Sequence, residues 1–262
     1  MAGKISGTRE WAVAEINCGI GCPHNCRYCY ARVAALKSGA IADPGQWSQS
    51  RIIEELVEAE HPCYPGQVMF PTSHDIIDDN LDAVLQVMAK LLDSGNRVLV
   101  VSKPKADCIG KLCDRFDEDR ERLLFRFSIT ARNDDLLSFW EPGAPPYRER
   151  LQALELAFRR GFATSVSIEP MLDADDIEGL IAELTPLVSH SIWIGKMNRI
   201  DERVEIDSAR TAAEIQRIRN EQTDFRIRLL YEALKDHPLI RWKESVKAVA
   251  GLELLSESGL DR

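Results

Sequence analysis

Four cysteines, Cys18, Cys22, Cys26 and Cys29, fall within twelve residues of the 262-residue chain. Thiolate is a soft ligand suited to iron–sulfur clusters, zinc or copper(I). The chain holds seven cysteines, an odd number. A secreted disulfide scaffold would be shorter and would spread its cysteines, whereas clustered thiols in a reducing compartment more often bind metal. At this cysteine frequency a given three-cysteine spacing arises by accident about 0.005 times in such a chain, so the cluster stands well above noise. Structural zinc sites usually draw two cysteine pairs from separated segments; here all candidates share one loop. Three thiolates spaced by three and two residues can instead cap one face of a cubane. One iron then stays open to a small molecule, unlike an electron carrier fully ligated by cysteine.

The stretch Cys22-Pro23-His24-Asn25-Cys26-Arg27-Tyr28-Cys29 resembles the cluster loop of the radical S-adenosylmethionine (radical SAM) superfamily, including the aromatic Tyr28 before the last cysteine. The longer phrase through Tyr30-Ala31-Arg32 looks like the branch related to spore photoproduct lyase, whose loop ends in Tyr-Cys-Tyr. The resemblance covers about residues 11 to 200 and is strongest at the loop. It implies that Cys22, Cys26 and Cys29 hold a [4Fe-4S] cluster whose unique iron chelates S-adenosyl-L-methionine. One electron, from a reducing partner such as flavodoxin or ferredoxin, would cleave the sulfonium and release a 5′-deoxyadenosyl radical that abstracts hydrogen from a substrate. Cofactors carry that chemistry, while the protein orients groups and excludes water. Cys18 has no place in this pattern. It reads as a small buried residue ending the first strand, or as an alternative ligand or redox-active thiol.

The elements that must position this loop alternate along the chain. Apolar or β-branched runs at 11–17, 67–70, 97–101, 124–127, 162–168 and 191–195 are separated by helical patterns. A helix-like stretch lies around Ile52, Ile53, Leu56 and Val57. Others run through Leu81 to Leu92, stopped by Gly95-Asn96, through Leu151 to Phe158, ended by Gly161, and through Ile177 to Leu184. Such alternation predicts repeated βαβ units and a parallel sheet buried on both faces. Six units are too few for an eight-stranded barrel, so the expected fold class is α/β, a partial (β/α)6 TIM-like barrel. Residues 1–200 form its core. Residues 201–262 form a helical C-terminal cap, with a short strand at Leu239 to Trp242, rather than an independent domain.

Active sites of such folds gather at the carboxyl ends of strands, which singles out further residues. Thr72 and Ser73 follow the second run, where relatives bind the cofactor amino group; they could instead cap the next helix. Lys103 follows the third, where the resemblance implies an ammonium pairing with the cofactor carboxylate. Ser128 follows the fourth, near the cofactor in relatives, or bonds to local backbone. Arg132 and Asn133 could reach the ribose or simply form a turn. Glu169 ends the fifth run, where an unpaired carboxylate would be costly. It is a cofactor- or substrate-binding candidate, with an ion pair to Arg150 as the competing reading. Lys196 and Asn198 end the sixth. Glu141 to Pro146 is a stiff turn that the resemblance places beside the cofactor pocket. His24 shapes the loop. Cys63, Cys108 and Cys113 read as buried thiols.

Lysine plus arginine number 33 against 42 acidic residues, a net charge of −9, so no chain-wide basic field for nucleic acid exists. No apolar run reaches the ~18 residues that span a bilayer. The N-terminus lacks a signal-peptide core. A cytoplasmic enzyme without membrane attachment is expected, acting on an unidentified substrate. A narrower reading is a DNA-repair lyase, with Cys63 or Cys108 as candidate hydrogen donors. A reading from another class is a non-enzymatic zinc module built on Cys18, Cys22, Cys26 and Cys29.

Overall fold

Short β-branched runs followed by helices return the chain repeatedly to one sheet edge, which is how parallel strands are joined. The computed structural model describes residues 5–260. Its strands are β1 (Ala14–Glu15), β2 (Gly19–Ile20), β3 (Arg51–Ile52), β4 (Gln67–Met69), β5 (Arg97–Ser102), β6 (Leu123–Ser128), β7 (Ala163–Ile168), β8 (Ser191–Ile194) and β9 (Ile240–Trp242). Seven of them form one sheet in the order β1-β4-β5-β6-β7-β8-β9, every neighbouring pair parallel. β2 and β3 make a separate antiparallel pair. The six expected strands are all present. The short strand foreseen in the cap becomes β9 and extends the sheet to seven.

The helices are α1 (Tyr30–Ser38), α2 (Glu54–Glu58), α3 (Leu81–Asp93), α4 (Ala106–Arg115), α5 (Asp134–Trp140), α6 (Tyr147–Arg159), α7 (Ile177–Leu184), α8 (Ile200–Arg203), α9 (Ala209–Glu221), α10 (Asp224–Leu234) and α11 (Glu244–Ala250). The helix expected around Ile52 shrinks to α2, because Ile52 pairs with Gly19 in the β2–β3 ladder. Gly161 adopts φ +78°, the left-handed turn that ends α6 as expected.

Strand alternation divides the core into two layers. Val98, Val100, Phe125, Phe127, Val166, Ile192 and Ile194 face the helices and join Val84, Met88, Leu112 and Leu154 in the main cluster. Trp11, Met69, Leu99, Leu124 and Trp193 form a second cluster on the opposite, lumen side. The two indoles meet edge to face with centroids 5.5 Å apart, and the Arg126 guanidinium packs beside both, 4.4 Å from the Trp11 ring and 5.1 Å from the Trp193 ring. Arg126 Nε also donates to Ser165 Oγ at 3.0 Å. The same parity puts Lys103, Ser128 and Glu169 on the lumen side at the carboxyl ends of β5, β6 and β7.

β1 and β9 are the two edges of the sheet, and chain ends bridge them. Glu10, just before β1, meets Lys243, just after β9, at 2.6 Å. The Glu244 amide donates to Glu10 Oε2 at 3.0 Å, and the Gly259 amide to the Arg9 carbonyl at 2.9 Å.

Candidate functional site

The cysteine loop leaves β2 and enters α1. Its start is pinned by the Cys22 amide donating to the Trp47 carbonyl at 2.7 Å. Its end is the N-cap of α1, where Cys29 Sγ accepts from the Arg32 amide at 3.5 Å. Midway it docks on the turn between α5 and α6. The Arg27 amide donates to the Trp140 carbonyl at 2.9 Å, and the Gly143 amide to the His24 carbonyl at 3.1 Å. A Cβ at residue 143 would stand 2.1 Å from the Pro23 carbonyl oxygen, so only glycine permits this approach.

Cys22 and Cys26 are buried and Cys29 is half-buried. Burial pushes the Cys22 thiol up to about 12 and Cys26 and Cys29 above the ordinary thiol value. The ammonium of Lys103 pulls all three back down. Cys18 belongs elsewhere. It is buried with its sulfur 3.6 Å from His74 Nε2, and its pKa is raised by burial alone among side-chain effects.

Around Lys103 two carboxylates complete the electrostatics. Asp75 Oδ1 accepts from the Lys103 amide at 2.6 Å and from Ser102 Oγ at 3.0 Å. Asp75 Oδ2 lies 2.8 Å from His24 Nδ1, 3.7 Å from Cys22 Sγ and 3.8 Å from Lys103 Nζ. Burial works against its charge, but Lys103 and His24 prevail and hold Asp75 far below the usual carboxylate range. The second carboxylate, Glu141, accepts hydrogen bonds from the Tyr28 hydroxyl and, at 3.0 Å, from Thr130. Burial opposes its ionisation, yet Arg150 and Lys103 keep it below its ordinary value. Tyr28, buried, lies with its ring centroid 5.7 Å from the Lys103 ammonium. Desolvation would neutralise Lys103, but the surrounding Cys26, Asp75 and Glu141 hold it charged.

The other expected site residues fall in several places. Thr72 and Ser73 follow β4, and both their amides donate to Asn17 Oδ1 at 2.8 Å; Asn17 Nδ2 donates to Thr72 Oγ1 at 2.7 Å. They do not cap the next helix, since a short 3-10 turn starts at Asp78 and α3 only at Leu81. Ser128 ends β6 and gives its carbonyl to Arg150 at 3.3 Å. Glu169 does not pair with Arg150, which is taken by Glu141. It faces Lys243 at 3.5 Å.

Arg132 is held by Asp176 and Glu183, and Asn133 caps α5, so both serve the fold. Lys196 reaches Asp224 at 3.4 Å and Asn198 reaches Glu244 at 3.3 Å. Cys108 and Cys113 are buried as expected, but Cys63 is exposed, on a loop leading into β4 rather than in the core. Cys108 packs in the helix-facing layer, so neither candidate hydrogen donor lines the lumen. Asp75 and Lys243 escaped the sequence. Lys243 directly follows the strand at Leu239 to Trp242, so the strand-end rule could have found it; nothing local marks Asp75.

The donor set discriminates between a single ion and a larger cluster. Four thiolates around zinc at about 2.3 Å must stand roughly 4 Å from one another. Among the described residues the only three ligand atoms within 4.8 Å of one another belong to Cys22, His24 and Asp75. That trio already carries the His24–Asp75 hydrogen bond and an adjacent ammonium, which repels a divalent cation. Three more widely set thiols, two buried and one half-buried, fit a cubane with an anionic thiolate shell.

No family model matches the chain. An uncharacterised protein of Acidianus two-tailed virus, ORF301, is 24% identical over 197 residues, covering 68% of this chain. The chain spans 64% of that relative's length. Among solved structures, a spore photoproduct lyase with bound AdoMet and dinucleoside spore photoproduct matches with a TM-score of 0.55 at 14% identity, over 92% of this chain and 78% of the lyase. Streptococcus suis SuiB bound to S-adenosylmethionine matches with a TM-score of 0.51 at 8% identity, over 89% of this chain and 47% of SuiB. The fold is the partial barrel that these solved structures share. Among the described residues no helix is long and apolar enough to cross a membrane.

Proposed function

We propose that this chain is a radical SAM enzyme. The observation that carries the reading is the geometry at the start of the loop: Asp75 Oδ2 stands 3.7 Å from Cys22 Sγ and 3.8 Å from the Lys103 ammonium, which sets a cation beside the Cys22, Cys26 and Cys29 loop at the carboxyl end of β5. Cys22, Cys26 and Cys29 would each give a thiolate to one iron of a [4Fe-4S] cluster, leaving the fourth for S-adenosyl-L-methionine. When bound, these cofactors supply reductive cleavage of the sulfonium carbon–sulfur bond and a 5′-deoxyadenosyl radical that takes hydrogen from substrate. The electron comes from a flavodoxin- or ferredoxin-type protein.

The chain's own residues bind and orient. The raised thiol values mean that metal displaces protons at loading. Lys103 offsets the negative thiolate shell and offers its ammonium to the cofactor carboxylate. The Thr72-Ser73 turn, held by Asn17, presents backbone and hydroxyl to the cofactor amino group, and Ser128 lies across the lumen. Tyr28, Thr130, Glu141 and Arg150 form a fixed platform under the loop. Glu169, steadied by Lys243, faces the part of the mouth left for substrate. A lesion-repair reaction is the narrower alternative, disfavoured by the acidic balance and by the positions of Cys63 and Cys108.

The test is anaerobic purification followed by metal analysis. Brown protein with about four irons and matching sulfide, forming 5′-deoxyadenosine under strong reductant, is expected. Cys26→Ala should abolish both. Colourless protein with one zinc would overturn the assignment.

A further inference from the structure

We propose that Asp75 sets the reducing power of the cluster held by this loop, acting as a positioning residue that ties Cys22, His24 and Lys103 to one carboxylate. The inference rests on the cluster reading above. One oxygen, Oδ1, is committed to the fold through the Lys103 amide at 2.6 Å and Ser102 Oγ at 3.0 Å. The other, Oδ2, looks at the site, 3.7 Å from Cys22 Sγ, 2.8 Å from His24 Nδ1 and 3.8 Å from Lys103 Nζ. At Oδ1 an uncharged amide would satisfy the same two donors, so Asp75→Asn keeps those anchors while removing the charge that faces Cys22 Sγ, His24 and Lys103.

Once metal takes the Cys22 proton, the thiolate and the carboxylate face each other without a hydrogen between them. A fixed negative charge this close to a cluster ligand disfavours the added electron. Net charge and hydrogen bonding around the sulfurs are established levers on iron–sulfur potentials. Lys103, 3.8 Å from the same oxygen, offsets part of that charge. The arrangement would therefore keep the reduced cluster a strong electron donor.

The experiment uses the full chain, reconstituted without oxygen, as wild type and Asp75→Asn. Midpoint potentials are read by electron paramagnetic resonance during redox titration, without S-adenosylmethionine, alongside iron and sulfide content. Asp75→Asn is expected to load iron and to show an upward shift in midpoint. A fully loaded Asp75→Asn protein with an unchanged or lowered midpoint overturns the proposal. If Asp75→Asn loads no iron, Asp75→Glu, which keeps the charge but moves it one methylene, is titrated instead. A displaced midpoint there supports the proposal and an unchanged one overturns it. Loss of iron from both variants also overturns it, because the carboxylate would then only hold the loop together. Wild-type protein without iron and sulfide defeats the cluster reading itself, a result separable from all of these.

Discussion

The Arg150 guanidinium meets the Glu141 carboxylate at 2.6 Å with neither side chain exposed to solvent. The N–H is not aligned on the oxygen, so the pair is held by charge more than by a directed hydrogen bond. Arg150 Nε donates instead to the Pro145 carbonyl at 2.7 Å. Through Tyr28 this pair supports the cysteine loop.

Removing one partner of a buried ion pair strands the other. Glu141→Ala is expected to destabilise the fold by about 3–5 kcal/mol, seen as a lower denaturant midpoint. Iron retention should fall with it, because Tyr28 loses its acceptor. Iron content equal to wild type in the folded variant would show that the platform does not support the loop.

Gly143→Ala addresses the same contact from the other side. The added methyl would collide with backbone at Pro23, which no rotamer change relieves. A cost of about 1–3 kcal/mol is expected, with iron loading reduced more than helical content. Loading can be followed by absorbance and the fold by circular dichroism.

Cys18→Ala should leave iron and sulfide at wild-type levels, because Cys18 sits against His74 and falls outside the three-cysteine spacing of the loop. Its stability cost should be near 1 kcal/mol, the ordinary size for a single core substitution. Loss of metal in this variant alone would revive a four-cysteine site.

These outcomes depend on how much was legible before folding. The strand runs are local patterns, and each appears as a strand. Lys103 is legible as a strand-end residue because the end of β5 is visible in the sequence. Glu169 was marked correctly as a costly carboxylate, but its partner was not. Arg150 lies on α6 and Lys243 follows β9, and only the docked turns decide which reaches it. Asp75 is 53 residues from Cys22 and Glu141 is 113 from Tyr28. Such pairings belong to the packing of loops, which no local periodicity encodes.

The seam between β1 and β9 predicts a pH dependence. Three carboxylates, Glu10, Glu169 and Glu244, surround the wholly buried Lys243. Burial, reinforced by the Glu244 carboxyl, pushes Glu10 up to about 9 against the pull of Lys243. Between the ordinary carboxyl value of roughly 4.3 and that raised value, the folded chain keeps a proton the unfolded chain has released. Stability from this group is therefore complete in acid and declines as pH rises. Glu10→Gln, which cannot titrate, should lose that decline. The wild-type advantage over the variant should shrink steadily from about pH 5 to pH 9, measured by urea midpoints at each pH. An advantage that grows with pH would refute the assignment.

The Arg126 side chain is buried with its guanidinium over both the Trp11 and the Trp193 rings, two residues before β6 ends. Truncating it would therefore remove the packing that joins the two indoles together with the charge.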